Sequence, residues 1–337
     1  MASQRTGTAT REITEASWSE EERALFFELQ RSMLQIRGFE DRIQSLFLRG
    51  EVYGTTHLCS GQEAVPVGVS SVLGEHDRVA ATYRGHGHAL ALGVDLQAML
   101  DEMLGRATGI NGGRAGSMNV TSMRDRLLGT YGIVGGAIAA AVGAALGVRR
   151  HRGIAVAYFG DGATNQAYFF ECLNYAHVFR LPVLFVCENN LYMEYSLTAA
   201  LSGGDILSRA QSLGVPGEVV DGMQVWDVRE AAGRAAERAR AGEGPTLLEC
   251  RTYRFVGHSR SDPARYRPEG ELDLWRERDP LVLCRARLER EGVPAEQLDA
   301  LEAEVAAQLD AAEAAALAAP WPDPADLPAE FVEQQTR

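Results

Sequence analysis

The chain has 337 residues, of which 46% are hydrophobic and 23% are charged, and its formal net charge is −13. This is ordinary globular composition with enough length for one large α/β domain, and the acidity argues against nucleic acid, which selects basic surfaces. All 33 basic residues are arginine, which excludes enzymes with a lysine Schiff base, such as pyridoxal phosphate enzymes, and also a Walker P-loop.

The two ends of the chain differ in character from its middle. Residues 1–18 are polar and predict a disordered arm that lacks the apolar stretch of a signal peptide. Residues 285–337 hold 12 acidic and 4 basic residues, a net charge of −8, and end in a proline-rich tail. We therefore predict an arm over 1–18, an α/β domain over 19–280 and an acidic helical extension with its tail over 281–337.

Cysteine usage and hydropathy indicate the compartment. The five cysteines are scattered and odd in number, and no two of them have the CxxC spacing. This pattern is typical of buried, reduced thiols in a cytoplasmic protein. The longest weakly polar run, residues 133–148, is too short for a membrane span. Its alanines and glycines predict a buried helix instead, and we expect no membrane association.

The first half of the chain begins with a helix over 19–50, because its apolar residues recur at helical spacing. Ser60 and Glu63 have the spacing of a capping box. Pro66 would then fall inside the helix that follows, so this interpretation requires a kink or a late start. A short strand is predicted over 79–82, and the glycine-rich stretch over 105–136 is predicted to be irregular.

A strand–helix–strand unit is the clearest pattern in the second half. Residues 154–159 and 183–187 are continuous apolar strands, and a crossover helix between them makes the strands parallel. That helix is expected to bury one face and to stop at Pro182. Its buried face is predicted to carry Phe169, Leu173, Ala176 and Phe179. A helix over 229–241, a strand over 247–251, a loop over 257–270 and a largely helical segment over 281–318 follow.

Polar residues follow both strands of this unit. Asp161 ends the first strand and Asn190 follows the second, and ligands of open α/β sheets collect at the carboxyl ends of strands. Carboxylate and amide oxygens suit a hard cation such as Mg²⁺, which would bridge Asp161 to a diphosphate. Two alternatives stay open: Asp161 caps the helix, or the glycines belong to a dinucleotide fingerprint, although Asn165 stands where its third glycine is expected.

The motifs together resemble a known family. HLCSGQEA, TYRGHG, GGRAGSMN, GIVG, GDGATNQ, CENNLY and TYRFVGHSRSDPARYR run over about residues 25–290 in the order found in the α subunit of the thiamine diphosphate-dependent E1 component of 2-oxo acid dehydrogenase complexes. The pyruvate and acetoin branch fits best. The resemblance implies a doubly wound, mainly parallel sheet flanked by helices, and an α₂β₂ heterotetramer with an E1 β subunit.

The resemblance also implies roles for individual residues. It places Mg²⁺ on Asp161, Asn190 and the backbone carbonyl of Tyr192. The diphosphate of thiamine diphosphate would lie along Gly160, Gly162 and Ala163, and its oxygens would be bound by Tyr83, Arg84 and Arg254. The aminopyrimidine would be held by Gly132, Ile133 and Val134. His258 would also contact the cofactor. The residues nearest the substrate, and therefore the catalytic candidates, would be His57 and His258.

The activity implied is oxidative decarboxylation of a small 2-oxo acid, with transfer of the acyl group to a lipoyl-bearing E2 partner. An acetoin dehydrogenase is the first alternative, and Phe255-Val256 before Gly257 resembles that branch. A biosynthetic acyl-thiamine enzyme without a lipoyl complex, or a non-catalytic scaffold, also stays open. The chain departs from relatives at Asn119, where a histidine is common, and at 193–195, where small residues are common.

Overall fold

The computed structural model describes residues 18–326. The predicted arm therefore lies outside the described residues except for Trp18, and so does the last part of the predicted tail. The predicted division into three parts stays a prediction. Within the described residues, no helix combines the length and the low polarity needed to cross a membrane.

The central sheet of the described chain has six strands in the order β2-β1-β3-β4-β8-β7, and all neighbours are parallel. In chain order the strands are β1 (Arg78–Thr82), β2 (Leu127–Tyr131), β3 (Ala155–Gly160), β4 (Val183–Asn189), β5 (Tyr192–Met193), β6 (Ser196–Leu197), β7 (Gly217–Asp221) and β8 (Thr246–Arg251). Strands β5 and β6 form a separate antiparallel hairpin. The predicted α/β class with a mainly parallel sheet is confirmed.

Helices cover both faces of the sheet. They are α1 (Glu20–Leu48), α2 (Ala64–Ser70), α3 (His86–Ala91), α4 (Leu96–Met103), α5 (Gly136–Val148), α6 (Ala167–Val178), α7 (Thr198–Leu201), α8 (Ile206–Ser212), α9 (Val225–Arg240), α10 (Glu271–Arg276), α11 (Pro280–Arg290) and α12 (Ala295–Ala318). Short 3₁₀ turns cover Arg149–His151, Asp161–Asn165 and Pro324–Asp326.

Alternation along the strands sorts side chains into two cores. In β4, Leu184 and Val186 join a core built with α1, α2, α4, α9 and α12, whereas Phe185 and Cys187 join a core built with α5, α6 and α8. Because both faces are covered, β3 and β4 are buried almost throughout, and this explains their continuous apolar runs. All five cysteines are free thiols, and all except Cys172 are buried.

Three sequence predictions about helices α5 and α6 are wrong in detail. Phe169, Leu173 and Ala176 are buried in α6, but Phe179 lies beyond the helix and is exposed. Helix α6 ends at Val178, before Pro182, and the chain turns through Arg180, whose φ is +49°. The predicted buried helix over 133–148 begins only at Gly136 and buries one face.

The predicted capping box before α2 is also wrong. Helix α2 begins at Ala64, so the late start that Pro66 required is what the structure has. The Ser60 hydroxyl makes no hydrogen bond. The Glu63 carboxylate accepts instead from the backbone N–H of Gly61 at 3.0 Å and from Arg37 Nε at 2.6 Å. An ion pair to α1 thus replaces the local cap.

The stretch over 105–136, predicted to be irregular, contains the edge strand β2. The segment predicted over 281–318 is two helices, because Pro294 is the N-cap of α12. Helix α12 buries Leu301, Val305 and Leu309 in the core that also contains α1.

Candidate active site

A cavity of 540 Å³ lies where β1, β3 and β4 end, and its wall contains every residue that the sequence assigned to a site. Those residues are His57, Tyr83, Arg84, Gly132, Ile133, Val134, Gly160, Asp161, Gly162, Ala163, Asn190, Tyr192, Arg254 and His258. Segments that are far apart in the chain meet here because the carboxyl ends of parallel strands share one edge of the sheet.

Asp161 is a buried carboxylate at the end of β3, with 2% of its surface exposed. It accepts a hydrogen bond from the Thr198 hydroxyl, and no arginine or histidine of the described residues forms a salt bridge with it. Burial raises the pKa of Asp161, although the Thr198 hydroxyl opposes that effect. Asp161 does not cap α6, which begins at Ala167 with Gln166 as its N-cap.

Asn190 and Tyr192 follow β4 through a tight turn in which Leu191 has a φ of +73°. The Asn190 Oδ1 accepts from the Tyr192 N–H at 3.3 Å, and its Nδ2 donates to Gln62 Oε1 at 3.0 Å. Residues 18–326 contain no group of three His, Cys, Asp or Glu side chains placed to hold a metal. The predicted donor set instead combines one carboxylate, one amide and one backbone carbonyl, all oxygens that suit Mg²⁺.

Two glycines leave space in the cavity wall. A Cβ atom added to Gly132 or Gly160 would meet no protein atom within 4 Å, and Gly160 has an ordinary φ of −83°. Neither packing nor backbone conformation therefore requires glycine at these positions. What glycine provides here is open volume against the backbone, which suits close approach of a ligand such as a diphosphate.

Two buried arginines lack an acidic partner. Arg254 is 1% exposed and donates to the Val256 carbonyl at 3.1 Å and to the Tyr266 hydroxyl at 2.8 Å. Arg84 donates to the carbonyls of Leu58 at 2.8 Å and His258 at 2.6 Å. Neither forms a salt bridge within the described chain, and burial lowers the pKa of Arg254 to about 10. Two unpaired buried cations favour an anionic ligand, because buried charges need a counter-charge.

His57 and His258 face each other, with ring centroids 5.1 Å apart. Burial, reinforced by the charge of Arg84, lowers the pKa of His57 to about 3 and that of His258 to about 4. Arg84 Nη2 lies 3.3 Å from His258 Nδ1, and since arginine only donates, Nδ1 accepts and the ring proton is on Nε2. The His258 backbone N–H donates to Asp262 at 2.6 Å, which anchors this loop.

Sequence reasoning missed several residues of the wall. Gln62, Met118 and Glu188 line the cavity. All three belong to motifs quoted for the resemblance, but nothing in the chain order shows which way they face. Met193 and Glu194, which depart from relatives, also line it, whereas Asn119 is exposed and does not. Thr198, the partner of Asp161, had no signal in the sequence.

Two further histidines, His86 and His88, are buried near the site. His86 is buried between Glu40, 3.0 Å from Nδ1, and the Ser117 hydroxyl, 2.8 Å from Nε2. His88 is buried with its Nε2 3.2 Å from Glu188 Oε1, but neither atom has hydrogen-bond geometry to a partner.

Comparison with known proteins gives concordant matches. Residues 31–325 match the family described as dehydrogenase E1 component. The chain is 43% identical over 302 residues to the alpha subunit of acetoin:2,6-dichlorophenolindophenol oxidoreductase of Cupriavidus necator, covering 88% of this chain and 91% of the relative. The same subunit of Bacillus subtilis is 40% identical over 311 residues, which is 91% of this chain and 92% of the relative. The pyruvate dehydrogenase E1 component subunit alpha of Rhizobium meliloti is 43% identical over 267 residues, 78% and 76% of the two chains.

Proposed function

The chain belongs to the dehydrogenase E1 component family, and we propose that it is the α subunit of a pyruvate dehydrogenase-like E1 enzyme that oxidatively decarboxylates a small 2-oxo acid. The family is thiamine diphosphate-dependent. Acetoin dehydrogenase is the second candidate, because the acetoin relatives, at 43% and 40% identity, are about as similar to this chain as the Rhizobium pyruvate dehydrogenase subunit, at 43%.

One observation supports this proposal above the others. The same cavity combines a buried carboxylate, Asp161, with two buried arginines, Arg84 and Arg254, and none of the three forms a salt bridge within residues 18–326. Mg²⁺ held by Asp161, together with a diphosphate held by the two arginines, would compensate all three charges at once. We propose Asp161, Asn190 and the Tyr192 carbonyl as the Mg²⁺ ligands.

Thiamine diphosphate, when bound, supplies an electron sink for carbon–carbon bond cleavage next to a carbonyl group. The protein residues would hold and orient it. Gly160, Gly162 and Ala163 would offer backbone to the diphosphate, Tyr83 would contact its oxygens, and the backbone at 132–134 would support the aminopyrimidine. His57 and His258, both neutral near pH 7, would donate or accept hydrogen bonds at the substrate oxygen and carry protons there.

We propose a β subunit as the partner in an α₂β₂ tetramer. The wall at Ile133, whose side chain is 70% exposed, and at the half-exposed Val134 lies open, and a second chain there would enclose the cofactor. A lipoyl-bearing E2 chain would accept the acyl group. The five free thiols support a cytoplasmic location.

The test is reduction of 2,6-dichlorophenolindophenol by the chain co-expressed with its β partner, in the presence of Mg²⁺ and thiamine diphosphate. Pyruvate, 2-oxobutyrate, branched 2-oxo acids and acetoin are compared side by side. Turnover of pyruvate supports the first proposal, and preference for acetoin supports the second. Cofactor binding without turnover of any of these would overturn both and favour the biosynthetic or scaffold alternative.

A further inference from the structure

Gln62 is a buried amide that the metal hypothesis leaves without a role. It is 1% exposed, lies in the turn before α2 and lines the cavity. Its Oε1 accepts from Asn190 Nδ2 at 3.0 Å, so the two amides connect segments 128 positions apart in the chain. One of these amides is the proposed Mg²⁺ ligand.

The direction of each amide follows from a donor that cannot be reversed. The Tyr192 backbone N–H points at Asn190, and a backbone N–H only donates, so the atom that it meets at 3.3 Å is Oδ1. Nδ2 then lies on the opposite side and must find an acceptor. Gln62 supplies that acceptor through Oε1, and this bond fixes the orientation of both amides.

The turn that carries Gln62 is rigid. The Gln62 N–H donates to the Cys59 carbonyl at 2.9 Å. Gly61 has a φ of +96°, and a Cβ there would lie 2.4 Å from the Tyr253 carbonyl oxygen. The next residue, Glu63, is held by both Nε and Nη2 of Arg37 at 2.6 and 3.0 Å. The acceptor that faces Asn190 is therefore held in place by α1 and by the strand-end loop at Tyr253.

We propose that Gln62 is a positioning residue for the metal site: it holds the Asn190 amide so that Oδ1, and not the NH₂ group, is available to Mg²⁺. The inference rests on the proposed Mg²⁺–diphosphate function. Without an acceptor at position 62, the buried NH₂ group loses its partner, and only the 3.3 Å bond from the Tyr192 N–H then holds the amide in this orientation. A reversal that presents donors to a cation therefore costs less. Residues that orient a metal ligand commonly change metal affinity when they are replaced.

The test measures Mg²⁺ and Mn²⁺ affinity in the co-expressed αβ complex with thiamine diphosphate present, with Mn²⁺ followed by electron paramagnetic resonance. We expect Gln62→Met, which keeps the length but removes the acceptor, to weaken metal binding about 10- to 100-fold. Gln62→Glu keeps an acceptor oxygen and should stay within a few-fold of the native complex. Gln30→Met is the matched control, because Gln30 is also buried but lies outside the cavity.

The same substitution made in the Asn190→Asp protein distinguishes an effect of Gln62 on the orientation of the Asn190 amide from an effect on packing. In Asn190→Asp both side-chain ends are oxygens, so no orientation has to be fixed, and adding Gln62→Met should then change metal affinity by no more than a few-fold. An equal loss in both backgrounds would overturn the proposal and leave Gln62 as a packing residue. A loss of metal in folded Gln62→Glu would also overturn it, and this variant decides the matter if Gln62→Met does not assemble. Failure of the native complex to bind thiamine diphosphate in a Mg²⁺-dependent way would instead refute the proposed function.

Discussion

The charges of the candidate site lie on Arg84, Arg254 and Asp161, and the hydrogen bonds of each side chain show how it is buried without a salt bridge. Arg84 and Arg254 donate most of their hydrogen bonds to carbonyl and hydroxyl oxygens. These bonds satisfy the N–H groups without neutralising the charge. Asp161 is similarly hydrogen-bonded but not ion-paired. Buried charges without a salt bridge cost stability in the free protein and favour a ligand that carries the complementary charges.

Replacement of Asp161 by asparagine tests the metal assignment. The change keeps the shape of the side chain and removes its charge. We expect Mg²⁺-dependent thiamine diphosphate affinity to fall more than about 100-fold, since loss of a direct ligand should exceed the loss caused by an outer residue. Thermal stability of the free protein should not fall, because no ion pair is broken. Asp101→Asn, a buried aspartate outside the cavity, is the control, and unchanged cofactor affinity in folded Asp161→Asn contradicts the assignment.

The lowered pKa values of His57 and His258 predict how the stability of the protein depends on pH. Their folded pKa values of about 3 and about 4 lie below the ordinary 6.5, so the unfolded chain binds more protons between these limits. The free energy of unfolding should therefore decrease as the pH falls through 6.5 and should continue to decrease until the pH passes the folded values. We expect His57→Gln to remove part of this decrease between pH 7 and pH 5 in urea titrations. A variant with the full native pH dependence would show that His57 does not contribute.

At the scale of elements, one carboxylate organises the glycine-rich loop after α4. Glu102 is fully buried and accepts from the backbone N–H groups of Asn111, Gly113, Ala115 and Gly116 at 2.7–3.1 Å. A Cβ at Gly109 would lie 2.6–2.8 Å from atoms of Glu102, which explains one glycine of the motif. The ordered loop then brings Ser117 to His86 and Met118 to the cavity wall.

Replacement of Glu102 by glutamine should loosen this loop. An amide offers one acceptor oxygen in place of two and turns its NH₂ group toward N–H donors. We expect a stability loss of about 2 kcal/mol or more and faster trypsin cleavage within residues 105–116, where Arg106 and Arg114 are the basic residues. Glu277→Gln, at an exposed position, is the control. Native-like cleavage of Glu102→Gln would show that the glycines alone define the loop.

Three elements meet at Arg37, which joins α1 to Glu63 before α2 and to Asp279 at the start of α11. Burial raises the pKa of Glu63, while Arg37 opposes that effect. Arg37→Met should lower the free energy of unfolding by about 3–5 kcal/mol, because it leaves a buried carboxylate unpaired. Arg37→Lys should lose less, since a point charge keeps the pairing but not the fork geometry. Chemical denaturation measures both, and an unchanged midpoint for Arg37→Met would contradict the account.

At the scale of the whole molecule, the acidic excess of the C-terminal segment is partly paired. Helix α12 packs along α1, where Arg31 contacts Glu304, Arg42 contacts Asp310 and Arg49 contacts Glu313. Each such surface pair contributes only about 0–1 kcal/mol, so the burial of Leu301, Val305 and Leu309 contributes most to holding the helix.

Assembly is the prediction that belongs to this scale. We expect the chain alone, supplied with Mg²⁺ and thiamine diphosphate, to reduce no dye with any of the substrates above. Turnover should rise as β subunit is added and reach a plateau when the two chains are equimolar. Sedimentation of the same mixtures reports whether the active species is the tetramer. Turnover by this chain alone would refute the proposed shared site.

The sequence by itself determined the central strands β3 and β4 and the position of Asp161 and Asn190 after them. Strands that are buried on both faces consist of consecutive apolar residues, and such runs are visible in the sequence. It did not predict β2 and β7. These are the two edge strands of the central sheet, and their sequences, LLGTY and GEVVD, contain glycine and polar residues that interrupt such a run. Motif resemblance selected the fourteen site residues, and the fold gathers them into one cavity.

Only the tertiary structure decided that Glu63 pairs with Arg37 instead of capping α2, that Glu102 orders the glycine loop, and that Gln62 meets Asn190. Each of these depends on a contact between distant segments, whose partner no local pattern of residues specifies.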